Sequence, residues 1–226
     1  MKRGRGRATF LLYASVQFVV LTLCAMAAYP GGSLFDAKTK HYGFFLNFFS
    51  DLGTTRAYSG RSNAVSCAMF VVALVSIGVA IIAFAGAWRA FAFAKGRAPW
   101  LGLFSQLFGT LSGIGFIGIA VTPWNLVLAI HNTFVLIAFS LLLGYVACLT
   151  TLMWLNAANR AQIRAHLAYL TVLAGYVGLL FLGPDLTTER GHLVQVTGQK
   201  IIVYTSMLNL MFQAYATRAF AFGVKR

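Results

Sequence analysis

Residues 64–88 read AVSCAMFVVALVSIGVAIIAFAGAW, without a single charged side chain. A helix of about 20 mainly apolar residues crosses the hydrocarbon core of a bilayer, so this stretch predicts a transmembrane helix. Five other stretches meet the same criterion. Together they predict one all-α domain over residues 1–226, a polytopic membrane protein built as a bundle of six transmembrane helices, with spans at about 8–29, 64–88, 100–122, 126–155, 165–183 and 199–222.

The composition favours a membrane protein over two other classes. Charged residues make up 10% of the chain and hydrophobic residues 59%, whereas a soluble domain carries charge on about 25% of its residues. The net charge of +14 raises the question of nucleic-acid binding, but such proteins gather Lys and Arg on one soluble face. Here the basic residues stand in short blocks between apolar runs, as in membrane proteins. We therefore expect no nucleic-acid partner.

The distribution of Lys and Arg predicts the orientation of the chain, because cytoplasmic loops carry an excess of these residues. All four acidic residues and only a minority of the basic ones fall outside if the N-terminus is inside. Twelve of the eighteen basic residues are then cytoplasmic: Lys2, Arg3, Arg5, Arg7, Arg89, Lys95, Arg97, Arg160, Arg164, Arg218, Lys225 and Arg226. We expect both termini in the cytoplasm and a multi-pass protein of the inner (cytoplasmic) membrane of the cell.

The first predicted outer loop, residues 30–63, contains an aromatic stretch at 42–53, YGFFLNFFSDLG. Aromatic side chains concentrate at membrane–water interfaces, so this stretch predicts a short interfacial or re-entrant helix, with Gly53 as its C-terminal stop. The third outer segment, residues 184–198, carries Asp185, Glu189, Arg190 and His192. Ionisable groups therefore gather on the predicted outer face.

Asp51, which follows the aromatic residues, has two interpretations. A carboxylate beside apolar residues is costly unless it is hydrogen-bonded or paired, so Asp51 could lock the loop against Arg56, Arg61 or a backbone amide. Alternatively, Asp51 is a general base or a binding carboxylate whose pKa is raised by burial. The sequence leaves both interpretations open.

His131, followed by Asn132, lies a few residues into the fourth predicted span. Intramembrane ionisable residues are functional candidates by default, but a histidine that hydrogen-bonds structurally across helices is an equal alternative. Because His131 lies near the predicted outer end, it could reach Asp51, and such a pair would suit acid/base catalysis. Asp51 and His131 are thus the candidate catalytic residues, and His192 is a candidate binding residue in an outer loop.

The sequence contains no metal-binding or nucleotide-binding motif. The HxxxH, HExxH and CxxC spacings are missing, and the three cysteines lie singly within apolar runs. We expect no metal site, and the cofactor stays unknown, with a bound lipid or pigment as the open alternatives. The residues Gly109-Thr-Leu-Ser-Gly113 form a face of small residues of the kind that lets membrane helices pack closely, against a neighbour in the same chain or in another subunit.

The order of these motifs resembles a known family. The sequence resembles the six-span family "domain of unknown function 998" in six successive features. They are a basic start, a first span, Asn-Phe-Phe-Ser-Asp-Leu-Gly at 47–53, Asn63 before the second span, Thr-Pro-Trp-Asn at 122–125 and His131-Asn132. The sequence is more distantly similar to damage-regulated autophagy modulator and Sfk-type membrane proteins. The resemblance covers roughly residues 10–155. It implies that residues 50–53 and His131-Asn132 lie near each other on the outer side, with Asn63 and Asn132 as candidate binding residues, and it favours lipid handling.

Three functions fit the sequence. A non-catalytic accessory subunit that packs against a larger membrane complex is slightly favoured, since no recognised catalytic motif is present; other membrane subunits and membrane lipids would be its partners. The alternative is a lipid- or isoprenoid-handling protein, with or without enzymatic turnover, whose outer pocket surrounds Asp51 and His131. A transporter ranks last, because charged residues are missing from the middle of the predicted spans.

Overall fold

The computed structural model describes residues 2–95 and 98–220, and the regular structure of these residues is entirely helical. The prediction of an all-α fold is confirmed. Six long helices each coincide with one predicted span, although residues 221–222 of the sixth, together with Arg97, Lys225 and Arg226 of the basic blocks, lie outside the described residues. The helices are α1 (Lys2–Ala28), α2 (Ala64–Lys95), α3 (Pro99–Val121), α4 (Trp124–Leu155), α5 (Arg160–Leu182) and α6 (Glu189–Phe220).

Within the described residues, α1 to α5 are each long and apolar enough to cross a membrane. The chain is therefore an integral, multi-pass membrane protein. The helix α6 is 32 residues long, but it carries more polar residues, and several of them are buried: Lys200, Asn209, Gln213 and Thr217. Whether α6 is a sixth span, and which side the termini face, stay predictions.

The helices form a closed ring in chain order. Each helix packs mainly against its neighbours along the chain, and α6 completes the ring by packing against α1 as well as α5. At one end of the ring lie the 29–63 loop, the turn at 122–123 and the 183–188 connection; we call this the loop end. Because consecutive helices run antiparallel, side chains from distant parts of the sequence meet inside the ring at this end.

The small-residue face of α3 is used inside the chain. The backbones of α2 and α3 approach so closely at Gly78 and Gly113 that a Cβ on Gly113 would lie 2.6 Å from the Gly78 carbonyl oxygen. A Cβ on Gly109 would lie 2.6 Å from the Cβ of Ala85. Such contacts are the usual reason for small residues in packed membrane helices. The neighbour of Gly109 and Gly113 is therefore α2 of the same chain.

The loop end differs from the sequence prediction in two ways. The helix in the first loop is a 3-10 helix of five residues, Phe49–Gly53, and it is buried within the ring rather than spread along its surface. Side chains of α2, α4 and α6 hold it there, and these partners cannot be predicted from the local sequence. The helix α6 begins at Glu189, so His192 lies in its first turn and not in a loop.

Candidate functional site

A cavity of about 390 Å³ lies at the loop end between α4, α5, α6 and the 29–63 loop. Its volume is within the range of small-molecule sites. Four of its wall residues also line a smaller recess of about 60 Å³ that extends into the ring: Ser50, His131, Val135 and Gln199. The recess is otherwise mainly apolar, with the side chains of Phe18, Phe70, Phe116, Phe139 and Met207 among its walls. The site therefore joins a polar chamber to an apolar interior.

The cavity opens sideways between α4 and α5. At the opposite end of the ring the two helices are joined, with Thr150 Oγ1 3.1 Å from His166 Nδ1. At the loop end the cavity separates them, and Leu128 and Asn132 of α4 line it while remaining exposed. Leu180 of α5 lines the same cavity, so apolar side chains of both helices border it there.

Asp51 forms the charged floor of the chamber. Its side chain is 1% exposed. Oδ2 accepts hydrogen bonds from Asn47 Nδ2 at 3.0 Å and from the Phe48 amide at 2.9 Å. Oδ1 accepts one, from Trp124 Nε1 at 3.1 Å. Burial raises the pKa of Asp51 to about 6, while the hydrogen bonds from Asn47 and Phe48, the charge of Lys200 and the Trp124 bond act in the opposite direction.

The first turn of α4 brings Trp124 to Asp51. Pro123 precedes the helix, and its ring fixes φ near the value that a helix start requires. Val127, with φ −139° and ψ 55°, interrupts the helix one turn later. This break sets the turn that carries Trp124 at an angle to the rest of α4, so the indole reaches the loop while His131 stays in the wall of the ring.

Lys200 of α6 lies behind Asp51, on the side away from the cavity. Its Nζ donates to Tyr42 Oη at 2.8 Å and to the Asn47 carbonyl oxygen at 2.5 Å. The same nitrogen lies 4.7 Å from the ring centroid of Phe49 and 5.5 Å from that of Phe44. Two oxygens and a group of aromatic rings therefore hold this ammonium and fix the loop on α6.

His131 presents one nitrogen to the site. Its Nδ1 is 2.7 Å from the Thr122 carbonyl oxygen, and because a carbonyl can only accept, Nδ1 carries the hydrogen. In the neutral imidazole Nε2 is then an acceptor, and the described residues give it no hydrogen-bond partner. His131 is 3% exposed and lines both the chamber and the recess. This arrangement suits proton acceptance from a bound hydroxyl or ammonium group.

His192 has the same arrangement with the nitrogens exchanged. Its Nε2 lies 2.8 Å from the Leu46 carbonyl oxygen, so Nε2 is the donor and Nδ1 an acceptor. The described residues provide Nδ1 with no hydrogen-bond partner. The ring packs edge-on against Phe35 and Phe48, with centroid distances of 5.4 and 5.0 Å. His192 is therefore buried in the first turn of α6, whereas the sequence predicted that it lies in an outer loop.

The structure brings most of the candidate residues together but does not join the proposed pair directly. Asp51, His131, Asn132 and His192 all line the chamber, yet within the described residues no hydrogen bond connects Asp51 to His131. Asn63 is not among the lining residues. Its buried amide donates to the Leu52 and Thr54 carbonyl oxygens, each at 3.0 Å, and so supports the 3-10 helix from outside the cavity.

The arginines proposed to pair with Asp51 have other partners. Arg56 donates to the Gly60 carbonyl oxygen at 3.2 Å, and Arg61 donates to that of Pro30 at 2.7 Å. Asp51 is instead held by the Phe48 amide, so it stabilises the loop locally as well as lining the cavity. Among the residues that the structure describes, no three His, Cys, Asp or Glu side chains come together to hold a metal ion.

Several residues that shape the site were not predicted from the sequence. Lys200 was counted among the outer charges, although a lysine beside an apolar run is itself a signal of a functional or structural partner. Tyr58 and Trp124 both line the chamber, with ring centroids 5.6 Å apart, but Trp124 was noted only as part of the Thr-Pro-Trp-Asn motif at 122–125 and Tyr58 not at all. Gln199, whose Oε1 accepts from the Phe49 amide at 2.6 Å, carried no recognisable signal.

Comparisons of the chain with known protein families, with curated proteins and with solved structures gave no match. The resemblance to the "domain of unknown function 998" family therefore stays a prediction.

Proposed function

We propose that this protein binds a single-chain amphiphile or one chain of a lipid, with the head group in the chamber around Asp51 and His131 and the chain at the apolar walls. The observation that carries the proposal is the form of the cavity. Its polar groups lie at the loop end, its walls become apolar towards the interior, and it opens between two membrane helices. A lipid could enter such a site from the bilayer without passing through water.

The membrane topology that accompanies this proposal is six spans with the loop end outside. Support for α6 as a span comes from its position in the ring between α1 and α5 and from its length, which matches that of α4. The buried polar side chains of α6 face protein rather than lipid, as is usual for polar residues in membrane helices. The basic blocks at the opposite end support a cytoplasmic location for the termini and residence in the inner membrane.

The accessory-subunit alternative has less support. It was favoured because no recognised catalytic motif is present, and the glycines of α3, one face that could have contacted another subunit, pack against α2 of the same chain. Exposed apolar side chains on the outside of the ring are expected for any helix bundle in lipid, so they do not favour a protein partner over the bilayer.

A cavity-filling variant tests the proposal. Val135 lines both the chamber and the recess, so Val135→Phe should fill the site. Ile130→Phe is the matched control, because Ile130 lies on the same helix, is 53% exposed and does not line the cavity. Native mass spectrometry of gently solubilised protein should show the 24.5 kDa chain with one bound lipid in the wild type and in Ile130→Phe, and a bare chain in Val135→Phe.

Two results would contradict the proposal. One is a wild-type chain without bound lipid and without a rise in unfolding temperature when amphiphiles are added, since a ligand present at about 100 times its Kd stabilises by about 2.7 kcal/mol. The other is recovery of the protein only inside a larger assembly whose formation Val135→Phe does not affect.

A further inference from the structure

The chamber has an unusual charge for a protein of net charge +14. Among the described residues in its wall, only Asp51 carries a formal charge when the histidines are counted as neutral. No Lys or Arg is among these wall residues. A site for phosphate head groups would be expected to present cations or several unpaired N–H groups. The formal charge in the wall of this chamber is instead negative.

Acceptor positions stay open beside this charge. A carboxylate offers about four acceptor positions, and the described residues use three of those of Asp51, which leaves one on Oδ1. The Nε2 of His131 is a second acceptor. Two of the N–H groups nearby are engaged, since Trp124 Nε1 donates to Asp51 and Gln195 Nε2 donates to the Pro184 carbonyl oxygen at 3.1 Å, and the uncharged amide of Asn132 also lines the chamber.

Aromatic faces accompany this carboxylate. Tyr58 and Trp124 lie with centroids 5.6 Å apart and planes tilted by 42°, and Phe48 lines the same chamber. The negative faces of such rings attract ammonium groups within about 6 Å, and the attraction is stronger where water is excluded. A carboxylate beside aromatic rings is the combination by which proteins bind organic cations.

The loop already binds one ammonium group in this manner. On its other side, Lys200 Nζ lies among the rings of Tyr42, Phe44 and Phe49 and donates to two oxygens. That group belongs to the protein and does not line the chamber, so it compensates part of the buried charge of Asp51 without occupying its free acceptor position.

We propose that the chamber selects amphiphiles with an ammonium head group, which contacts Asp51 Oδ1 and the faces of Tyr58 and Trp124 while the chain follows the apolar walls. The proposal rests on the function proposed above, because it assigns the head group of the same ligand.

The test compares amphiphiles that share one ten-carbon chain and differ in the head group: decyltrimethylammonium, decyl phosphate and decyl glucoside. The purified full chain is held in a nonionic steroid-glycoside detergent, which has neither an alkyl chain nor an ammonium group, and binding is measured from the rise in unfolding temperature. We expect the ammonium compound to bind at least tenfold more tightly than the other two. Asp51→Asn should remove this preference, and Asp36→Asn, an exposed carboxylate of the same loop, should keep it.

A second variant keeps the test informative if Asp51→Asn fails to fold. Tyr58→Leu removes one aromatic face and leaves the carboxylate, so it should weaken ammonium binding several-fold and leave glucoside binding unchanged. Equal binding of all three compounds, or tighter binding of the phosphate, would overturn the head-group assignment and leave chain binding intact. Binding of none of them, with the cavity-filling Val135→Phe indistinguishable from wild type, would instead refute the proposed function and this inference with it.

Discussion

Replacing Asp51 by Asn should leave the fold as stable as the wild type or more stable, although the change removes a buried, hydrogen-bonded side chain. Burial raises the pKa of Asp51 from its ordinary value of 3.8 to about 6. The folded protein therefore holds the proton more tightly than the unfolded chain does. Above pH 6 the ionised carboxylate costs the folded state about 3 kcal/mol, which is the free energy that corresponds to this difference in pKa.

The amide avoids this cost but loses part of the hydrogen bonding. Its single oxygen can still accept from Asn47 and Phe48, while its NH₂ group would face the Trp124 Nε1 donor. The hydrogen bonds to the ionised carboxylate are already contained in its pKa, so the remaining loss is that of one neutral hydrogen bond, about 0.5–1.5 kcal/mol, which is smaller than the gain at pH 7.5. The pKa of about 6 already includes the charge of Lys200, which therefore needs no separate correction.

The sign of the pH dependence follows from the raised pKa. Between pH 3.8 and pH 6 the folded state binds more protons than the unfolded state, so wild-type stability due to Asp51 rises as the pH falls through 6. From pH 7 to pH 5 the gain is about 1 kcal/mol. The difference between wild type and Asp51→Asn cancels the direct contributions of all other titratable groups and isolates the carboxylate.

The assay is equilibrium unfolding in mixed micelles at increasing SDS fraction, followed by circular dichroism at pH 5 and pH 7.5. Asp36→Asn serves as the control for the loss of an exposed carboxylate from the same loop. A loss of more than 2 kcal/mol in Asp51→Asn at pH 7.5, or a wild-type stability that falls relative to that of Asp51→Asn between pH 7.5 and pH 5, would refute the reasoning and make Asp51 a purely structural residue.

Three other predictions concern the site and the ring. The affinity for decyltrimethylammonium should fall about tenfold between pH 7.5 and pH 5 as Asp51 takes up its proton, which titrations of the unfolding temperature would detect. Lys200→Met should lower the free energy of unfolding by about 2 kcal/mol, because the Asn47 carbonyl loses a charged donor; SDS unfolding measures this, and an unchanged value would contradict the role given to Lys200. Gly113→Val should cost about 3 kcal/mol through its clash with α2, whereas Gly175→Ala, with open space around it, should be tolerated in the same assay.

The helices could be predicted from the sequence because lipid imposes a local rule on them. A segment that crosses a bilayer must be about 20 residues long and apolar, so a run such as 64–88 can be recognised as a span without knowledge of the helices around it. The first turns of α6 were missed because they include Glu189, Arg190, His192 and Gln195. Two of these residues, His192 and Gln195, line the cavity. The partners of Lys200 were not predictable, since they lie more than 150 positions earlier in the chain.

Asp51 illustrates which features of the site could be predicted from the sequence and which could not. Its position after an aromatic run left open a structural lock of the loop and a buried carboxylate with a raised pKa, and the structure places it, like His131, in the wall of the chamber. The aromatic faces that accompany it come from Tyr58 and from Trp124, and no short pattern relates these two positions. Their meeting depends on the break of α4 at Val127, a conformation that the sequence around it does not indicate.

The order of the helices in the ring has a consequence for biogenesis. Each newly inserted helix can pack against the one before it, so α1 to α5 can assemble as an open arc while synthesis continues. Only the arrival of α6 closes the arc, and α6 also supplies Lys200, which fixes the 29–63 loop, and His192 and Gln199, which complete the chamber. A nascent chain that ends after α5 thus leaves the Asp51 loop without its contacts to α6, and the ligand chamber is completed only with the final helix.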